Sequence, residues 1–485
     1  MSLIKLPSSI TFDEVFKKKS FSSVNYEKFI ISNKNKIQLK SLVNNIKNGK
    51  EVGSNAYIPK SNKFFLRTKA LQEDYVLLKI DSESSIPIKP VSFKDINLSK
   101  GEILISKDSN IGEMVYIYED MPDFSICAGI KAISITKNQF YVMAFLKNNF
   151  FKKQIESLIS KGSIMSHAKE KFLDCFIPFP DKNEIIEYVS ILMQSWLEKE
   201  KTIQEKYNSI NKILEEEILN NQDKKNFIFK NVNLKEAKEN ERLDAGVYNE
   251  DYKRIIFLIE NYTGGSFRLS QDKFKGGSTP KSRVFGRGNK NWITPSNISD
   301  EGYVNKNEKI ICDKTNIYKD CVIIGNRTSR GGMGEYVGIS FFYDYNKKGG
   351  GHHNQGCYRI ENLPREDLIM IALLMNSNYY RKLCGYISLG SKMKEIKIKN
   401  LTRIPFINIK KEIKKRLIDL YSKEPNVNIN DLDLNSFKKI DNLIIKDSGI
   451  LRLANDIRLI RDKLDKIVES ISDNKKIEID FNFLK

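Results

Sequence analysis

The chain has 485 residues and carries 81 Lys and Arg against 61 Asp and Glu, a net charge of +20. A charge excess of this size favours a polyanionic partner such as nucleic acid, although a Lys-, Asn- and Ile-rich composition raises the charge without any function. With three histidines and no G-x-x-x-x-G-K-[ST] phosphate loop, the sequence argues against most metal-based or acid–base catalysis and against an ATPase. Six cysteines without a C-x-x-C pair indicate neither a zinc site nor a disulfide framework.

Other absences narrow the class of protein further. The longest apolar run, Leu368 to Met375, is shorter than a membrane span, and the chain opens without a signal pattern, so a cytoplasmic protein with no membrane partner is predicted. The prolines are never adjacent, which removes the Pro-Pro-aromatic loop with which an amino-methyltransferase holds a flipped base. No catalytic residue is predicted. No metal site is predicted either, since His352 and His353 lack nearby acidic or Cys partners.

From about residue 46 to 180 the sequence consists of short β-branched and aromatic runs, followed by a long helix at Asn183 to Asn220. Its apolar residues recur in the steps of one helical seam, which only Lys199 interrupts. They are Ile185, Val189, Leu192, Trp196, Ile203, Tyr207, Ile210, Leu214 and Ile218. A helix of roughly 55–60 Å packs along another long helix or joins two separated modules. A surface hairpin helix within one large domain is the alternative.

The segments on either side of this helix repeat each other. Gly49 in NGK aligns with Gly276 in KGG, and FFLRTKAL at 64–71 aligns with NWITPSNI at 291–298. Further aligned pairs are 144–151 with 372–380, 162–165 with 390–393, and Pro178 with Pro405. Each pair is 227 or 228 residues apart, so the chain is predicted to contain two copies of one module.

A second apolar seam follows the second copy, after a Pro- and Asn/Asp-rich interruption at about 424–448. It consists of Ile450, Leu453, Ile457, Ile460, Leu464, Ile467 and Ile471. Because each seam follows one copy of the module, we expect the two helices to pair antiparallel; two unrelated core helices are the alternative.

The predicted fold class is therefore α+β, with two similar mixed α/β domains separated by long helices that form an antiparallel coiled coil. The predicted divisions are a first domain at 1–181, a spacer helix at 182–221, a second domain at 222–407, and a C-terminal helical region at 408–485 that pairs with the spacer helix.

Three motifs resemble those of a known family. GGSTPKS at 276–282 followed by NWITPSNI at 291–298 resembles the opening of a target recognition domain in the specificity subunits of type I restriction-modification systems. RLDAGVYNEDY at 242–252 is similar to the segment that leads into such a domain, and IPFP or IPFI before a long helix is similar to its end. With the duplication, the resemblance covers nearly the whole chain. The first copy departs from it, because Arg67-Thr68-Lys69 stands where the second copy has Thr294-Pro295-Ser296.

The resemblance implies a non-catalytic chain whose two target recognition domains each read one half of an asymmetric bipartite site in double-stranded DNA. It implies that the helices dock two methyltransferase subunits, through which an ATP-dependent restriction and translocase subunit joins. S-adenosylmethionine, ATP and Mg would be held by these partners, and this chain would hold no cofactor. The spacer helix would set the gap between half-sites.

The outward face of the spacer helix, with Glu198, Lys199, Lys201 and Glu215–Glu217, would then be a docking surface or a plain solvated face. Two other functions stay open: recognition for a methylation-only or other phage-defence system, and a duplicated protein-interaction scaffold.

Candidate DNA-binding residues lie in polar loops of both copies. Arg suits guanine O6 and N7, Asn suits adenine N6 and N7, and hydroxyl or cationic groups beside a Gly suit phosphate. In the first copy the candidates are Arg67, Lys69, Lys107, Ser109, Asn110, Ser163, Ser166, His167 and Lys169. In the second copy they are Thr279, Lys281, Ser296, Asn297, Asn326, Arg327, Thr328, Ser329, Arg330, Lys347, Lys348, Ser391, Lys392 and Lys394. KKGGGHHNQG at 347–356 is interpreted as a flexible basic loop that enters a groove. For each candidate, an ordinary solvated loop residue is the alternative.

Overall fold

The computed structural model of the protein describes residues 4–5, 7, 9–18, 21, 26, 28–158, 170–305, 308–330, 334, 336–430 and 432–484. Two compact units form from these residues. The first unit takes in Met1–Lys201, Asn426–Lys446 and Asn455–Lys485, and the second takes in Thr202–Pro425 and Asp447–Ala454, within the described ranges. Each unit therefore combines segments that are distant in the sequence.

The first unit is built from short strands and helices. The strands are β1 (Ile4–Lys5), β2 (Lys28–Phe29), β3 (Lys36–Gln38), β4 (Val43–Asn48), β5 (Phe64–Leu66), β6 (Ser85–Pro87), β7 (Ile103–Ser106), β8 (Met114–Tyr116), β9 (Phe124–Ile126), β10 (Ile130–Ile135) and β11 (Phe176–Pro178). The helices are α1 (Phe12–Lys18), α2 (Leu39–Leu42), α3 (Gln139–Lys147), α4 (Asn149–Leu158) and the first part of α5 (Asn183–Asn220). Strands β7 and β8 are buried at every position, which explains their largely apolar sequences.

The second unit contains the rest of α5 and a similar series of elements. Its strands are β12 (Ser266–Arg268), β13 (Phe274–Gly276), β14 (Arg283–Ile293), β15 (Lys309–Cys312), β16 (Cys321–Gly325), β17 (Arg327–Thr328), β18 (Ser340–Tyr343), β19 (Gly351–His353), β20 (Cys357–Ile360), β21 (Lys394–Glu395) and β22 (Pro405–Ile407). Its helices are α6 (Leu234–Asn240), α7 (Glu250–Glu260), α8 (Tyr345–Lys348), α9 (Arg365–Asn376), α10 (Asn378–Ile387), α11 (Ile398–Leu401) and α12 (Lys411–Ser422).

Three sheets of the first unit recur in the second with the same strand order. The sheet β4-β10-β7-β8 corresponds to β13-β20-β16-β18, the sheet β6-β5-β9 to β15-β14-β19, and the pair β11-β3 to β22-β12. In both three-stranded sheets the last two strands are parallel, with Phe65 opposite Ser125 and Trp292 opposite His352. The predicted duplication of a mixed α/β module is confirmed.

Close backbone packing corrects the alignment of the two copies by one residue. A Cβ at Gly49 would lie 1.9 Å from Cys127 O, and a Cβ at Gly277 would lie 1.8 Å from Asn354 O, so each position requires glycine. Cys127 and Asn354 each follow the second strand of the parallel pair. The equivalent of Gly49 is therefore Gly277, and not Gly276 as the sequence spacing indicates.

The helices α13 (Leu434–Asp447) and α14 (Ile450–Ser472) end the series of helices. In the first unit, the apolar seams of α5 and α14 share one core, with Ile185, Val189, Leu192 and Trp196 beside Ile460, Leu464, Ile467 and Ile471. The Arg461 guanidinium, in the middle of α14, lies 5.9 Å from the Trp196 ring, whereas the Asn33 side chain donates at 3.0 Å both to Phe179 O, just before α5, and to Ile471 O, at the end of α14. Positions that advance along α5 thus meet positions that go back along α14. The predicted antiparallel pairing is confirmed within this unit.

The structure differs from the sequence prediction at the interruption near 424–448. Residues 434–447 form helix α13, which buries Phe437, Asp441 and Ile444 on one face. Asp441 forms an ion pair with Lys199 of α5, whose side chain is fully buried. Glu217 is also buried, where its carboxylate accepts a hydrogen bond of 2.6 Å from Tyr262. Lys199 and Glu217 were predicted on an outward face of α5. For both the prediction is wrong, because Lys199 pairs with Asp441 and Glu217 accepts a hydrogen bond from Tyr262 in the interior.

Candidate nucleic-acid interface

In the first unit, three loops meet at the carboxyl ends of the parallel strands β5 and β9. Cys127 N donates to Leu66 O at 2.9 Å, which joins the ends of the two strands. Lys107 N donates to Gly129 O at 2.9 Å and so attaches the loop after β7 to the loop after β9. The hydroxyls of Thr68 and Ser109 are 2.8 Å apart and join the loops after β5 and β7. We call Arg67, Thr68, Lys69, Lys107, Ser109 and Asn110 the first loop cluster.

The loop after β7 holds its shape through internal hydrogen bonds. Ser106 Oγ donates to Ser109 O at 2.6 Å, and Ser106 N donates to Glu113 O at 2.9 Å. Asn110 adopts a left-handed conformation with φ of 57°, which Asn tolerates better than most residues. Its side-chain amide lies 3.5 Å from Leu71 O of the neighbouring loop. Ser109 and Asn110 are therefore exposed on a closed turn and are brought beside the loop after β5, as a recognition surface requires.

The Arg67 and Lys69 side chains of the first loop cluster differ in their contacts with the protein. Arg67 is half-buried and donates two guanidinium hydrogen bonds to Glu83 O, one of them at 3.2 Å. Lys69 is exposed, and its amine is 3.7 Å from the Glu83 carboxylate. Exposed ion pairs at this distance are weak. Lys69 thus keeps a charge that is accessible to a ligand, whereas Arg67 chiefly fixes the turn.

Lys107 also lines a groove that the sequence prediction missed. The groove has a volume of about 540 Å³ and is lined by Lys40, Lys107, Lys131, Glu170, Lys171, Leu173 and Asp174. Lys131 donates to Glu170 at 2.9 Å, and this hydrogen bond lowers the pKa of the Glu170 carboxyl. One signal in the sequence could have found Lys131, because it is the only charged residue of the apolar strand β10. The predicted candidates Ser163, Ser166, His167 and Lys169 lie outside the described residues.

The second unit repeats the loop arrangement with different side chains. Asn354 N donates to Ile293 O at 3.0 Å, and Asn326 N donates to Gly356 O at 2.8 Å, as Cys127 and Lys107 do in the first unit. The turn after β14 packs against glycine as well, because a Cβ at Gly356 would lie 2.9 Å from the Pro295 ring. The backbone framework of the two interfaces is therefore the same.

Several predicted residues are brought together on this second framework. Strand β17, with Arg327 and Thr328, pairs with β21, in which Thr328 lies opposite Lys394. The Thr279 hydroxyl donates to the Gln355 side chain in the loop after β19. Lys281 and Ser296 are exposed close in sequence to these positions, as are Ser329, Ser391 and Lys392. We call Thr279, Lys281, Ser296, Arg327, Thr328, Ser329 and Lys394 the second loop cluster.

Arg330 is tied into the fold more firmly than its neighbours. Its guanidinium lies 3.3 Å from the Asp300 carboxylate and 3.9 Å from the centre of the Tyr336 ring. The side chain remains 42% exposed. The Arg330 guanidinium is thus held by contacts within the protein, although part of the side chain reaches the surface.

Two predicted asparagines do not present their side chains to solvent. Asn297 is 1% exposed, and its carboxamide oxygen accepts hydrogen bonds of 2.7 Å from both the amide and the hydroxyl of Thr294. Asn326 is 2% exposed and donates to Gln355 O at 3.0 Å. Both side chains stabilise turns of the framework, so the prediction that they reach base edges does not fit this conformation.

The segment at 347–356 is another correction. Residues 351–353 form strand β19 in the interior, and His352 and His353 are 2% and 0% exposed. Lys347 and Lys348 belong to α8, before the amino end of β19, whereas the second loop cluster gathers at the carboxyl end. Lys347 forms an ion pair with Glu424, and the Lys348 amine lies 5.5 Å from the Phe341 ring. The segment is not a flexible loop, and its two lysines are not joined to the cluster.

The two histidines differ in their contacts. The ring nitrogens of His352 lie 3.1 Å from Lys314 O and 2.9 Å from Ser278 O, and the ring stacks on Trp292. Within the described ranges of the chain, no side-chain or backbone group is placed to hydrogen-bond closely with either ring nitrogen of His353, and burial lowers the pKa of His353 to about 3. Among the described residues, no group of His, Cys, Asp and Glu is arranged to hold a metal ion. In the same residues, no helix has the length and apolarity that crossing a membrane requires.

The chain is similar to three solved structures along most of its length. The S subunit of a type I restriction-modification system from M. genitalium has 13% identity and a TM-score of 0.37, over 89% of this chain and 95% of that one. The HsdS subunit from Thermoanaerobacter tengcongensis has 10% identity and a TM-score of 0.27, over 91% and 97% of the chains. A chain from a study of complex assembly and conformational transition in the type I system has 10% identity and a TM-score of 0.27, over 90% and 97%. No protein-family model and no curated protein matches the chain.

Proposed function

We propose that this chain is the DNA-recognition subunit of a type I restriction-modification complex. In this proposal each unit reads one half of a bipartite site in double-stranded DNA. The observation that carries the proposal is the duplicated framework: in both units, three loops are joined by the same backbone hydrogen bonds at the carboxyl ends of a parallel strand pair. Loops held by a rigid sheet suit recognition, because little conformational freedom is lost when they bind.

The charges of the two loop clusters support DNA as the ligand. The first cluster contains Lys69 and Lys107, and the second contains Lys281, Arg327 and Lys394. These cations lie in the same loops as exposed hydroxyls. The groove beside the first cluster adds lysines at 40, 131 and 171. Cations with interspersed hydroxyls are the groups that contact phosphate oxygens, and they give salt-dependent binding to any duplex.

Differences between the clusters support an asymmetric site. At equivalent positions of the turn after the first parallel strand, the first unit has Arg67-Thr68-Lys69 and the second has Thr294-Pro295-Ser296. Lys107 of the first unit corresponds to Asn326 of the second, where each makes the same backbone hydrogen bond, but the Lys107 side chain is half-buried and the Asn326 side chain is buried, so this position offers a cation in the first unit only. Two frameworks of one shape that carry different side chains are expected to prefer different bases.

The remaining parts of the proposal concern the assembly. The chain itself is non-catalytic and cytoplasmic, and its long helices dock two methyltransferase subunits that bind S-adenosylmethionine. An ATP- and Mg-dependent restriction and translocase subunit joins through them. The motif resemblance around 242–252, 276–298 and 404–407 supports this assembly.

Methylation mapping in the native host, with and without this gene, tests the proposal. The expected result is loss of methylation at one gapped, asymmetric motif when the gene is deleted. Two identical half-sites would contradict the asymmetry, and unchanged methylation would contradict the function. Duplex binding by the purified chain at increasing salt provides a second measurement, since affinity that is independent of salt would favour a protein-interaction scaffold. Copurification with an ATP-dependent nuclease subunit separates restriction from a methylation-only system.

A further inference from the structure

Strand β14 of the second unit contains a bulge that has no counterpart in the described residues of the first unit. Phe285 and Lys290 both lie opposite Ile310 of β15, so the four residues between them are outside the strand ladder. The corresponding strand β5 has three residues and pairs with β6 without a shift of register. We call Arg283–Lys290 the bulged arm.

Two glycines fix the shape of the bulge. Gly286 and Gly288 have φ of 73° and 91°, a region that other residues rarely adopt. A Cβ at Gly288 would also lie 2.7 Å from Ile310 O. Arg287 stands between these glycines and is exposed. Bulges re-aim side chains away from the sheet, and this one presents Arg287 at its tip.

The base of the bulged arm is apolar and unusually exposed. Val284, Phe285 and Ile311 are each 51% exposed. The Phe285 ring is supported by Trp292 at 5.7 Å and by the Arg283 guanidinium at 5.6 Å, so it is held in place although it faces solvent. Proteins that enter a DNA groove commonly combine an arginine with an apolar surface that packs on sugars, bases or the thymine methyl.

Charge distinguishes DNA from other occupants of this surface. The stretch from 281 to 291, KSRVFGRGNKN, contains four cations and no acidic residue. The Lys290 amine donates to Cys312 O at 2.9 Å and holds the arm to β15. Arg283 follows Thr279 of the second loop cluster by four residues, a span of at most about 14 Å. A short segment of chain thus joins the arm to that cluster, and the bulge itself lies on the amino-end side of β14, where the Asn291 side chain donates to Lys348 O at 2.9 Å.

We propose that the bulged arm enters a groove of the DNA beside the second loop cluster, and that Arg287 contacts a base edge there. This inference rests on the proposed function and adds a specificity-determining residue to it. Because the first unit lacks the arm, the half-site read by the second unit has at least one specified base pair that the loop framework alone does not read.

The test uses the full chain together with its methyltransferase subunits. Binding of the mapped site, and of duplexes substituted at each base pair of it, is measured for the wild type, Arg287→Ala and Arg254→Ala. Arg254 is an exposed arginine of α7 in the same unit and serves as the matched control. Arg287→Ala is expected to weaken binding of the mapped site by about 5- to 150-fold and to abolish discrimination at one base pair of one half-site. Equal unfolding temperatures of the three proteins show that the fold is intact.

Other outcomes overturn the inference in distinguishable ways. Equal binding by Arg287→Ala and Arg254→Ala would remove the arm from the interface while leaving the proposed function intact. An equal loss on every duplex, with a smaller salt dependence, would make Arg287 a phosphate contact and contradict base reading. Loss of methyltransferase binding with unchanged DNA binding would make the arm a protein-docking surface. Failure of the wild type to bind any duplex would instead contradict the proposed function itself.

Discussion

Lys199 of α5 and Asp441 of α13 form an ion pair in the interior of the first unit. Lys199 is 0% exposed and Asp441 is 5% exposed, and the Lys199 amine also donates to Ser195 Oγ at 2.7 Å. A buried ammonium is costly unless it is paired, so the pair specifies which face of α13 packs on α5. The one residue that interrupts the apolar seam of α5 is thus the residue that holds the helix missed by the sequence prediction.

Asp441→Ala is expected to destabilise the first unit by about 3–5 kcal/mol, because it leaves the Lys199 charge buried without its partner. Urea-induced unfolding of the full chain measures the effect. Lys438→Ala is the matched control. Lys438 lies on the same helix as Asp441 and forms an exposed pair with Glu187 of α5, so its loss should cost less than about 1 kcal/mol. The double variant Lys199→Met/Asp441→Leu is expected to recover most of the stability. A cost for Asp441→Ala no larger than that of the control would contradict the buried-charge argument.

Asn297 and Ser296 are adjacent, yet their substitutions are expected to have different effects. Asn297→Ala removes the acceptor for the Thr294 amide and hydroxyl and should cost about 1–2 kcal/mol of stability. Ser296→Ala changes an exposed hydroxyl and should alter stability by less than about 0.5 kcal/mol, while it weakens DNA binding. Thermal unfolding and duplex binding of both variants check this. A stable Asn297→Ala protein with altered base preference would show instead that Asn297 reads DNA.

Lys107→Ala is expected to weaken binding to all duplexes by a similar factor, because Lys107 lies where a groove of several lysines meets the first loop cluster. Loss of one phosphate contact should reduce the slope of log affinity against log salt by about 1. Lys137→Ala, an exposed lysine in the turn before α3, is the control and should leave the slope unchanged. A change confined to one base pair would assign Lys107 to base reading.

The sequence predicted those features that depend on regular spacing. These features are the seam from Ile185 to Ile218, the seam from Ile450 to Ile471, and the constant offset between the copies. Each is a periodic pattern, and such a pattern can be recognised in the sequence without knowing which distant residues are in contact. Roles of single polar residues were not predictable in this way. Asn297, Asn326 and Lys199 are of residue types that usually face solvent. Their hydrogen-bond partners, however, are distant in sequence or lie in a turn whose geometry the sequence does not reveal.

His353 provides a test of how pH affects the second unit. The ring is 0% exposed, and the nearby Arg359 and His352 also disfavour a positive charge, whereas the backbone of Cys357 and Asn354 favours it to a smaller extent. Burial, the largest cause, and these two side chains lower its pKa from 6.5 to about 3. Between pH 6.5 and about pH 3, His353 is therefore protonated in the unfolded chain and neutral in the folded chain. The contribution to stability is complete above about pH 6.5 and declines as the pH falls towards 3.

His353→Leu removes this titration, because it replaces the imidazole with an apolar side chain of similar size that does not bind a proton. At pH 7 the variant is expected to differ from the wild type by less than about 1.5 kcal/mol. Below pH 6.5 the wild type should lose up to about 1.4 kcal/mol more than the variant for each pH unit, because protonation is coupled to unfolding in the wild type only. Urea unfolding of both full-length proteins at pH 7, 6 and 5 measures the difference, in which the titration of shared carboxylates cancels. Stabilities that fell in parallel across this range would show that the folded chain accepts the proton on His353, and would contradict the lowered pKa.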